Sequence, residues 1–310
     1  MGHVNRGPEF VGRLVQREMW MTRIAVTGGS GKLGRAVVSR LVDDGHQVVN
    51  LDQVASPEAR CPFVRVDLSD YGQTVAALLG VDDRYDRIDA VVHLAAIPAP
   101  GLTTNEATFG NNILSTYHVF AAARAAGIKT VVWASSETVL GLPFDAQAPP
   151  PYLPVDEEYH PRPNSSYSLA KTLEEEMARQ FCRWDPELSM TGLRFSNVME
   201  PADYSAFPGY DDDPSQRIWN LWGYIDARDG AQAVVLALAA ARPGVDVFII
   251  AAADTVMSRS SADLADSMFP DVPLTRPLGA HETLLGIDKA RRILGFEPAH
   301  SWRQELSEPG

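Results

Sequence analysis

Cysteine, clustered basic residues and long apolar runs are all scarce in this sequence, and each shortage excludes a class of protein. The two cysteines, Cys61 and Cys182, lie far apart without metal-ligand spacing, so we expect no metal site and a reducing, cytoplasmic setting. With 27 basic and 40 acidic residues the formal net charge is −13, which argues against nucleic acid or an anionic membrane as a partner. No apolar run approaches the roughly 18 residues that a membrane span requires.

The first 20 residues carry three arginines but no long apolar core and no small-residue cleavage site. This composition does not fit a secretory signal. Met21 stands directly before the first predicted strand. We therefore expect residues 1–20 to be a disordered leader or an expression-derived extension, and we exclude them from the fold argument.

The most informative stretch is the glycine-rich segment 26–34, which reads Val-Thr-Gly-Gly-Ser-Gly-Lys-Leu-Gly. It follows a short apolar run and precedes a helix-like segment, which is the order of elements in a phosphate-binding cradle. Gly28 permits the sharp turn, Gly31 lets the backbone approach a pyrophosphate, and Gly34 lets the helix pack closely on the strand. Free N–H groups at the helix start then bind the anion. The alternative is a glycine-rich turn in some other α/β protein.

An acidic residue at the end of the second strand favours a dinucleotide. Asp52 lies 18 residues after Gly34, where a carboxylate accepts both ribose hydroxyls of NAD and repels the 2′-phosphate of NADP. Lys32 is the only nearby feature that suggests NADP. Asp67, at the end of a third strand, could bind the adenine amino group or cap a helix that begins near Ser69. The sequence therefore predicts NAD as the cofactor.

Strands and helices alternate along the chain, which predicts a doubly wound parallel sheet of the Rossmann type in an α/β protein. Ligands of such sheets bind at the carboxyl ends of the strands. Asp52, Asp67, Ala95–Ala96 and Ser135–Ser136 all fall at predicted strand ends. We expect the site at this edge, and we interpret His93, inside an apolar strand, as a structural residue.

Tyr167 and Lys171 lie four residues apart at the start of a predicted helix, so they share one face. Taken alone, this spacing is common and usually structural. Beside an NAD cradle it predicts catalysis, because the lysine cation and the nicotinamide charge lower the phenol pKa from about 10 towards neutrality. The tyrosinate then removes a proton from a substrate hydroxyl while hydride leaves the same carbon, and a serine hydroxyl holds the oxyanion.

The chain resembles the extended short-chain dehydrogenase/reductases, the family of nucleotide-sugar epimerases, dehydratases and uronate dehydrogenases. The resemblance runs in the family's order across nearly the whole chain from residue 24. Its motifs are Thr27-Gly28-x-x-Gly31-x-x-Gly34, Asp67-Leu68, His93-Leu94-Ala95-Ala96, Asn112, Ser135-Ser136-Glu137-Thr138-Val139-x-Gly141, Tyr167-x-x-x-Lys171, Leu193-Arg194-x-x-Asn197-Val198 and Tyr224-Ile225-Asp226-x-Arg228-Asp229.

The resemblance implies a role for each matching residue. Tyr167 is the general acid/base, Lys171 its activator and Ser136 the hydroxyl on the substrate, while Asn112 supports the Tyr/Lys pair. Cofactor binding falls to Gly28, Ser30, Gly31, Lys32, Leu33, Gly34, Asp52, Asp67, Leu68, Leu94, Ala95, Ala96, Asn112 and Lys171. Substrate binding falls to Ser136, Glu137, Tyr167, Asn197 and Arg217. The helices that start near Asn112 and Tyr167 usually form a dimer interface in this family, so a homodimer is expected.

Departures from the family pattern bear on the substrate. Nucleotide-sugar enzymes of the family usually have a helix and a strand that clamp the nucleotide, but here Asn197 and Tyr224 are only 27 residues apart, with many turn-forming and acidic residues between them. Uronate dehydrogenases are similarly short and carry an arginine five residues before a tryptophan, the spacing of Arg217 and Trp222. Such an arginine grips the substrate carboxylate. A surface arginine is the equal alternative for Arg217.

These patterns predict an NAD-dependent dehydrogenase of a small sugar, sugar acid or polyol. One alternative is a nucleotide-sugar 4-epimerase or dehydratase that keeps NAD bound. Another is a non-catalytic NAD(P)-sensing protein, which the intact Tyr167, Lys171 and Ser136 disfavour. We assign residues 21–196 and 224–250 to the NAD-binding Rossmann domain, and residues 197–223 and 251–310 to a small, largely C-terminal substrate-binding cap.

Overall fold

A seven-stranded sheet in which every neighbouring pair is parallel forms the centre of the protein. The computed structural model describes residues 22–80 and 87–307, so the predicted leader lies outside the described residues. The strands are β1 (Arg23–Thr27), β2 (Gln47–Asp52), β3 (Phe63–Arg65), β4 (Ala90–His93), β5 (Thr130–Ser136), β6 (Ser189–Phe195), β7 (Val198–Met199), β8 (Ile225–Asp226) and β9 (Gly244–Ile250). The sheet order is β3-β2-β1-β4-β5-β6-β9, and β7 pairs with β8 separately.

Helices cover both faces of the sheet. They are α1 (Lys32–Asp43), α2 (Tyr71–Leu79), α3 (Asn105–Ala125), α4 (Ser166–Trp184), α5 (Ala227–Ala239), α6 (Ser261–Met268), α7 (Asp288–Leu294) and α8 (Trp302–Ser307). Apolar side chains of α1, α5 and α7 bury one face, and those of α2, α3 and α4 bury the other. The predicted doubly wound α/β fold is confirmed. In the described part of the chain, no helix is both long and apolar enough to span a bilayer.

Local capping fixes where two helices at the site begin. Helix α4 starts at Ser166 because Ser165 and Ser168 cap each other, each side chain bonding the other's backbone N–H. This cap holds Tyr167 in the first turn of the helix. Helix α2 is capped by Asp70, which accepts from the N–H of Gln73. The alternative that Asp67 caps this helix is therefore wrong, because Asp67 instead closes the preceding turn through Ser69.

A second apolar core lies beyond the carboxyl ends of the strands. It combines the loop 139–155, the run of 3₁₀ turns Pro201–Asp212, the segment around Trp222 and the C-terminal elements α6 and α8. The predicted division placed the loop 139–155 in the Rossmann domain, whereas its apolar side chains pack in this cap core. The predicted division into two domains stays a prediction, and this loop packs with the second core.

Candidate functional site

One cleft of about 1280 Å³ runs along the carboxyl edge of the sheet, over the point where the strand order reverses between β1 and β4. It is larger than the roughly 300–1,000 Å³ of a typical ligand pocket. Most residues predicted for the site line it: Gly28, Ser30, Gly31, Lys32, Leu33, Gly34, Asp52, Leu68, Leu94, Ala95, Ala96, Ser136, Glu137, Tyr167, Lys171 and Asn197. Asp67, Asn112 and Arg217 are not among the lining residues.

The glycine loop is held close to two backbone segments. Gly28 has a φ of +70°, and a Cβ there would stand 2.6 Å from the backbone nitrogen of Ala95. A Cβ on Gly34 would stand 2.1 Å from the carbonyl oxygen of Gly28, so the third glycine lets α1 pack on the loop. Both positions therefore exclude any side chain.

The start of α1 opens into the cleft. Gly31 is the N-cap, no side chain caps the helix, and residues 31–34 all line the cavity. A Cβ on Gly31 would meet only the oxygen of Gly28, at 3.4 Å, so the space beside this glycine is open to a ligand. Uncapped N–H groups with an approachable backbone fit the pyrophosphate of a dinucleotide.

Asp52 lies at the carboxyl end of β2 and faces the same cleft. Its carboxylate accepts from the backbone N–H groups of Ser30 at 3.0 Å and Gln53 at 2.7 Å, which fixes it beside the glycine loop. Lys32, the one feature that suggested NADP, donates to Asp203 at 2.6 Å. The charge of Lys32 is therefore already matched by a carboxylate of the cap.

Ser136 has its hydroxyl oriented by its neighbour Thr138. Its oxygen accepts from the Thr138 backbone N–H at 3.2 Å and from the Thr138 hydroxyl at 3.0 Å. The hydrogen of Ser136 remains to donate, and its bond to Tyr167 acts to lower the pKa of that phenol. Ser135 points elsewhere, donating to the buried Glu175 at 2.7 Å. Both serines line the cleft, and the role that the resemblance gives to Ser136 stays a prediction.

The direction of the Tyr167 pKa differs from the expectation. Burial raises it above the ordinary value, and this outweighs the lowering effects of the Lys171 cation and the Ser136 hydrogen bond. The predicted lowering towards neutrality also requires the nicotinamide charge, so for the NAD-bound protein it stays a prediction. Tyr167 is only 6% exposed, and removing a phenolate from water disfavours its charge.

Lys171 has a partner that sequence reasoning missed. Its ammonium donates to the carbonyl of Ala134 at 2.8 Å and forms an ion pair with Glu174 at 2.9 Å, where both side chains are almost fully buried. Glu174 follows Lys171 by three residues on the same helix, a spacing that brings side chains together. That spacing was the available signal.

Glu137 is a buried carboxylate at the substrate end of the cleft. It accepts from the Ser196 hydroxyl at 2.5 Å and from the Asn220 amide at 3.1 Å. Burial raises its pKa to about 7, although these two hydrogen bonds and the nearby Arg217 cation act to lower it. The Glu137 carboxyl group therefore changes its charge close to neutral pH.

Arg217 is 5% exposed and contacts protein groups. It donates to the carbonyl of Gly223 at 2.8 Å, and its guanidinium lies over the rings of Tyr210 and Trp219. Of the two alternatives, a surface position is wrong. A grip on a substrate carboxylate stays a prediction, and Trp219 rather than Arg217 lines the cleft.

Asn112 is fully buried and holds the loop that follows β4. Its amide donates to the carbonyl of Ile97 at 3.0 Å and accepts from the Ile97 N–H at 2.8 Å. Its predicted support of Tyr167 and Lys171 stays a prediction. Its neighbour Asn111, by contrast, lines the cleft.

His93 agrees with the structural interpretation. Its ring nitrogens meet the hydroxyls of Thr27 at 2.7 Å and Thr116 at 3.1 Å, and burial lowers its pKa to about 3. It is therefore neutral. Further lining residues that the sequence did not single out as site residues come from 3₁₀ turns, loops and a strand end: Thr138, Leu142, Pro143, Asn164, Ser196 and Trp219.

Comparison with known proteins identifies the family. The sequence profile of the NAD dependent epimerase/dehydratase family matches residues 24–251. The chain belongs to this family. NAD is the cofactor of the family, so the predicted family, the NAD-dependent enzyme class and the cofactor are confirmed at this level.

Individual members of the family show how far the similarity extends. A UDP-glucose 4-epimerase of Erwinia amylovora is 31% identical over 187 residues, covering 56% of this chain and 52% of that protein. The chain spans about half the length of the curated relatives it matches. A solved UDP-galactose 4-epimerase is 26% identical with a TM-score of 0.67, covering 92% of this chain and 96% of that one. A mutated uronate dehydrogenase, 23% identical with a TM-score of 0.64 over 93% and 86% of the two chains, shares the fold.

Proposed function

We propose that this protein is an NAD-dependent dehydrogenase that oxidises a hydroxyl of a small sugar, sugar acid or polyol, with a neutral substrate favoured. The observation that carries the proposal is the charge balance of the cleft. Lys32 and Lys171 are its only cationic side chains among the described lining residues, and each is paired with a carboxylate. A second nucleotide diphosphate would find no unmatched cation there.

The chain's own residues supply the proton chemistry. Tyr167 accepts the proton of the substrate hydroxyl, and Ser136 donates to the oxygen on which negative charge develops. Lys171 supplies a cation that stabilises the phenolate of Tyr167. The glycine loop and Asp52 would hold NAD, which would supply the hydride acceptor and a positively charged nicotinamide ring.

Glu137 gives the substrate end its selectivity. Its carboxylate lies next in sequence to Ser136 and lines the cleft, so it can accept hydrogen bonds from the hydroxyls of a sugar or polyol. When ionised it repels a substrate carboxylate. Arg217, which lowers the pKa of Glu137, serves in this proposal to hold that residue. This is the reason to favour a neutral substrate over a uronic acid.

A nucleotide-sugar 4-epimerase is the second candidate. The names of the relatives favour it, since several matched proteins are UDP-glucose 4-epimerases. In such an enzyme Tyr167, assisted by Lys171 and Ser136, would take the proton from the sugar hydroxyl and later return it. The paired cations of the cleft and the short segment between Asn197 and Tyr224 disfavour it.

The test is NADH formation with matched panels of neutral aldoses, polyols and uronic acids, using Tyr167→Phe as the inactive control. Growth of NADH with a neutral class, absent in the variant, supports the proposal. Activity confined to uronic acids would overturn the preference for a neutral substrate. It would favour the alternative that Arg217 binds the substrate carboxylate. If no member of the panel yields NADH and the protein instead interconverts UDP-sugars without net NADH, the epimerase would be established.

A homodimer through α3 and α4 is part of the proposal. These helices pack against each other, and each leaves large apolar side chains exposed: Leu114 and Tyr117 on α3, and Leu169 and Leu173 on α4. Their exposed fractions range from 38% to 47%. Exposed large apolar side chains on two adjacent helices are typical of an interface.

A further inference from the structure

The ion pair of Lys171 and Glu174, beside the proposed catalytic tyrosine, is almost completely buried. The side chain of Lys171 is 3% exposed and that of Glu174 is 0% exposed, with their charged atoms 2.9 Å apart. An ammonium buried without a counter-charge is costly, so a buried lysine gives up its proton readily. A neutral lysine would no longer stabilise a phenolate.

The geometry of the ammonium leaves one donor for the cleft. An ammonium group carries three N–H bonds. Two of them point at the carbonyl of Ala134 and at the carboxylate of Glu174. Because Lys171 also lines the cleft, the third N–H is the one available to ligand and tyrosine. Glu174 thus fixes the rotation of the group as well as its surroundings.

We propose that Glu174 is the positioning residue that keeps Lys171 protonated and oriented inside the protein, an inference that rests on the proposed Tyr/Lys/Ser function. Glu174 acts through Lys171 and does not touch the substrate. Replacing it with a neutral residue removes the counter-charge while the lysine stays buried. Lys171 then loses its proton at a lower pH than in the wild type, and from that pH upward Tyr167 lacks its activating cation.

The other charged groups around Lys171 are committed elsewhere. Glu175 accepts two hydrogen bonds from Arg194, both at 2.9 Å, so its charge is already matched. Glu137 is bound by Ser196 and Asn220.

The remaining neighbours do not replace the carboxylate either. His93, on β4, is neutral and its pKa is lowered partly by the Lys171 cation. Tyr167, on the same helix, is an uncharged phenol at neutral pH. Burial acts to lower the pKa of Lys171, but the pKa is raised on balance, and Glu174 contributes most of that rise; Glu175 adds less, and Tyr167 adds to it only as a phenolate.

The first test reads the charge of Lys171 directly and needs no substrate. The chain has only four lysines, Lys32, Lys129, Lys171 and Lys289, so protein labelled with ¹³C at the lysine ε-carbon gives four signals. Lys171→Met identifies the signal of interest. In the wild type this signal should titrate above the ordinary lysine range, and in Glu174→Gln its midpoint should fall by about 2 pH units or more.

A matched control separates charge from helix stability. Glu176, two residues further along α4, is exposed and bonds only to Arg179 and Gln180 among the contacts described. Glu176→Gln should leave the Lys171 titration unchanged. Glu174→Asp, which keeps the charge on a shorter side chain, should restore most of the wild-type midpoint.

The second test uses the pH dependence of NADH formation with a substrate from the panel above. Glu174→Gln should move the alkaline limb of the kcat profile down with the Lys171 midpoint. The proposal would be overturned if the ¹³C titration of Lys171 were unchanged in Glu174→Gln. It would also be overturned if only the acidic limb of the kcat profile moved to lower pH. In either case Lys171 would keep its charge without Glu174. If no substrate is found, the proposed function fails while the titration still decides the role of Glu174.

Discussion

The α-carbon of Gly34 lies so close to the carbonyl oxygen of Gly28 that a side chain at position 34 would stand 2.1 Å from it. Gly31, between them, has an ordinary φ of −71° and would place a Cβ 3.4 Å from the same oxygen. The two glycines therefore have separable purposes. Gly34 permits the packing of α1 on the loop, and Gly31 leaves room for a ligand.

Substituting the two glycines separately should give opposite results. Gly34→Ala should destabilise the fold by about 2 kcal/mol or more, because backbone must move to accept the methyl group. Gly31→Ala should leave thermal stability nearly unchanged and weaken NAD binding about tenfold or more, because the methyl occupies the approach of the pyrophosphate. Thermal unfolding and titration calorimetry with NAD measure the two effects. Equal NAD affinity in Gly31→Ala would contradict the proposed cradle.

Tyr167→Phe should abolish most of the chemistry while the cofactor still binds. Loss of a positioned general base costs about 10²–10⁴-fold in rate. NADH formation and NAD calorimetry on the same preparation separate the two properties. Tyr71→Phe, at an exposed position on α2, is the matched control and should retain full activity. Comparable rates in the two variants would remove Tyr167 from the mechanism.

Asp52→Asn should relax the preference for NAD over NADP. The carboxylate faces the cleft beside the glycine loop, and removing its charge removes about 1.4 kcal/mol of repulsion against a 2′-phosphate, or about tenfold in relative affinity. Calorimetric dissociation constants for both cofactors give the ratio. Asp43→Asn, at the far end of α1, should not change it. A wild-type protein that binds both cofactors equally would contradict the assigned role.

Glu137 should make stability depend on pH. Its pKa is about 7 in the folded protein and 4.5 ordinarily, so between these values the unfolded chain ionises while the folded chain keeps the proton. Stability from this group is present below about pH 4.5, is lost as the pH rises to about 7, and amounts to about 3 kcal/mol.

The measurement is the difference in free energy of unfolding between Glu137→Gln and the wild type, obtained with urea at several pH values. The difference should shift in favour of the variant by about 3 kcal/mol from pH 4.5 to 8. If altered hydrogen bonds lower the stability of the variant equally at every pH, this shift with pH is unchanged. Glu106→Gln, an exposed change on α3, should give a flat difference, and a flat difference for position 137 would refute the prediction.

Leu173→Glu should convert a dimer into monomers. It places a charge on the apolar surface of α3 and α4, where burial of an unpaired carboxylate opposes association. Sedimentation velocity at several concentrations gives the mass. Leu79→Glu, equally apolar and 56% exposed on α2, is the control and should remain dimeric. A monomeric wild type would end the dimer proposal outright.

Local patterns in the sequence predicted the frame of the site well. The glycine loop, Asp52 and the Tyr167/Lys171 pair are set by spacing within one or two elements, and parallel strands bring their carboxyl ends to one edge. The structure places most of these residues around one cleft.

Long-range packing decided what the sequence did not predict. The burial that raises the Tyr167 pKa exists only in the folded chain, and the pairing of Lys32 with Asp203 joins residues 171 positions apart. The loop 139–155 joins the cap core through contacts with the C-terminal part of the chain, such as the bridge between Val155 and Leu285. Position 112 has the expected residue, but its amide is bonded to the backbone of Ile97.

The pairing of Lys171 with Glu174 also constrains how this protein can evolve. Losing the lysine strands a buried carboxylate, which costs about 3–5 kcal/mol, a large share of the 5–15 kcal/mol that holds a typical domain together. Losing the glutamate leaves the lysine buried without a counter-charge, and the lysine can become neutral by giving up its proton. The glycine loop and Asp52 are untouched by that change. One substitution at position 174 would therefore leave the NAD cradle in place and lower turnover only on the alkaline side of the pH profile.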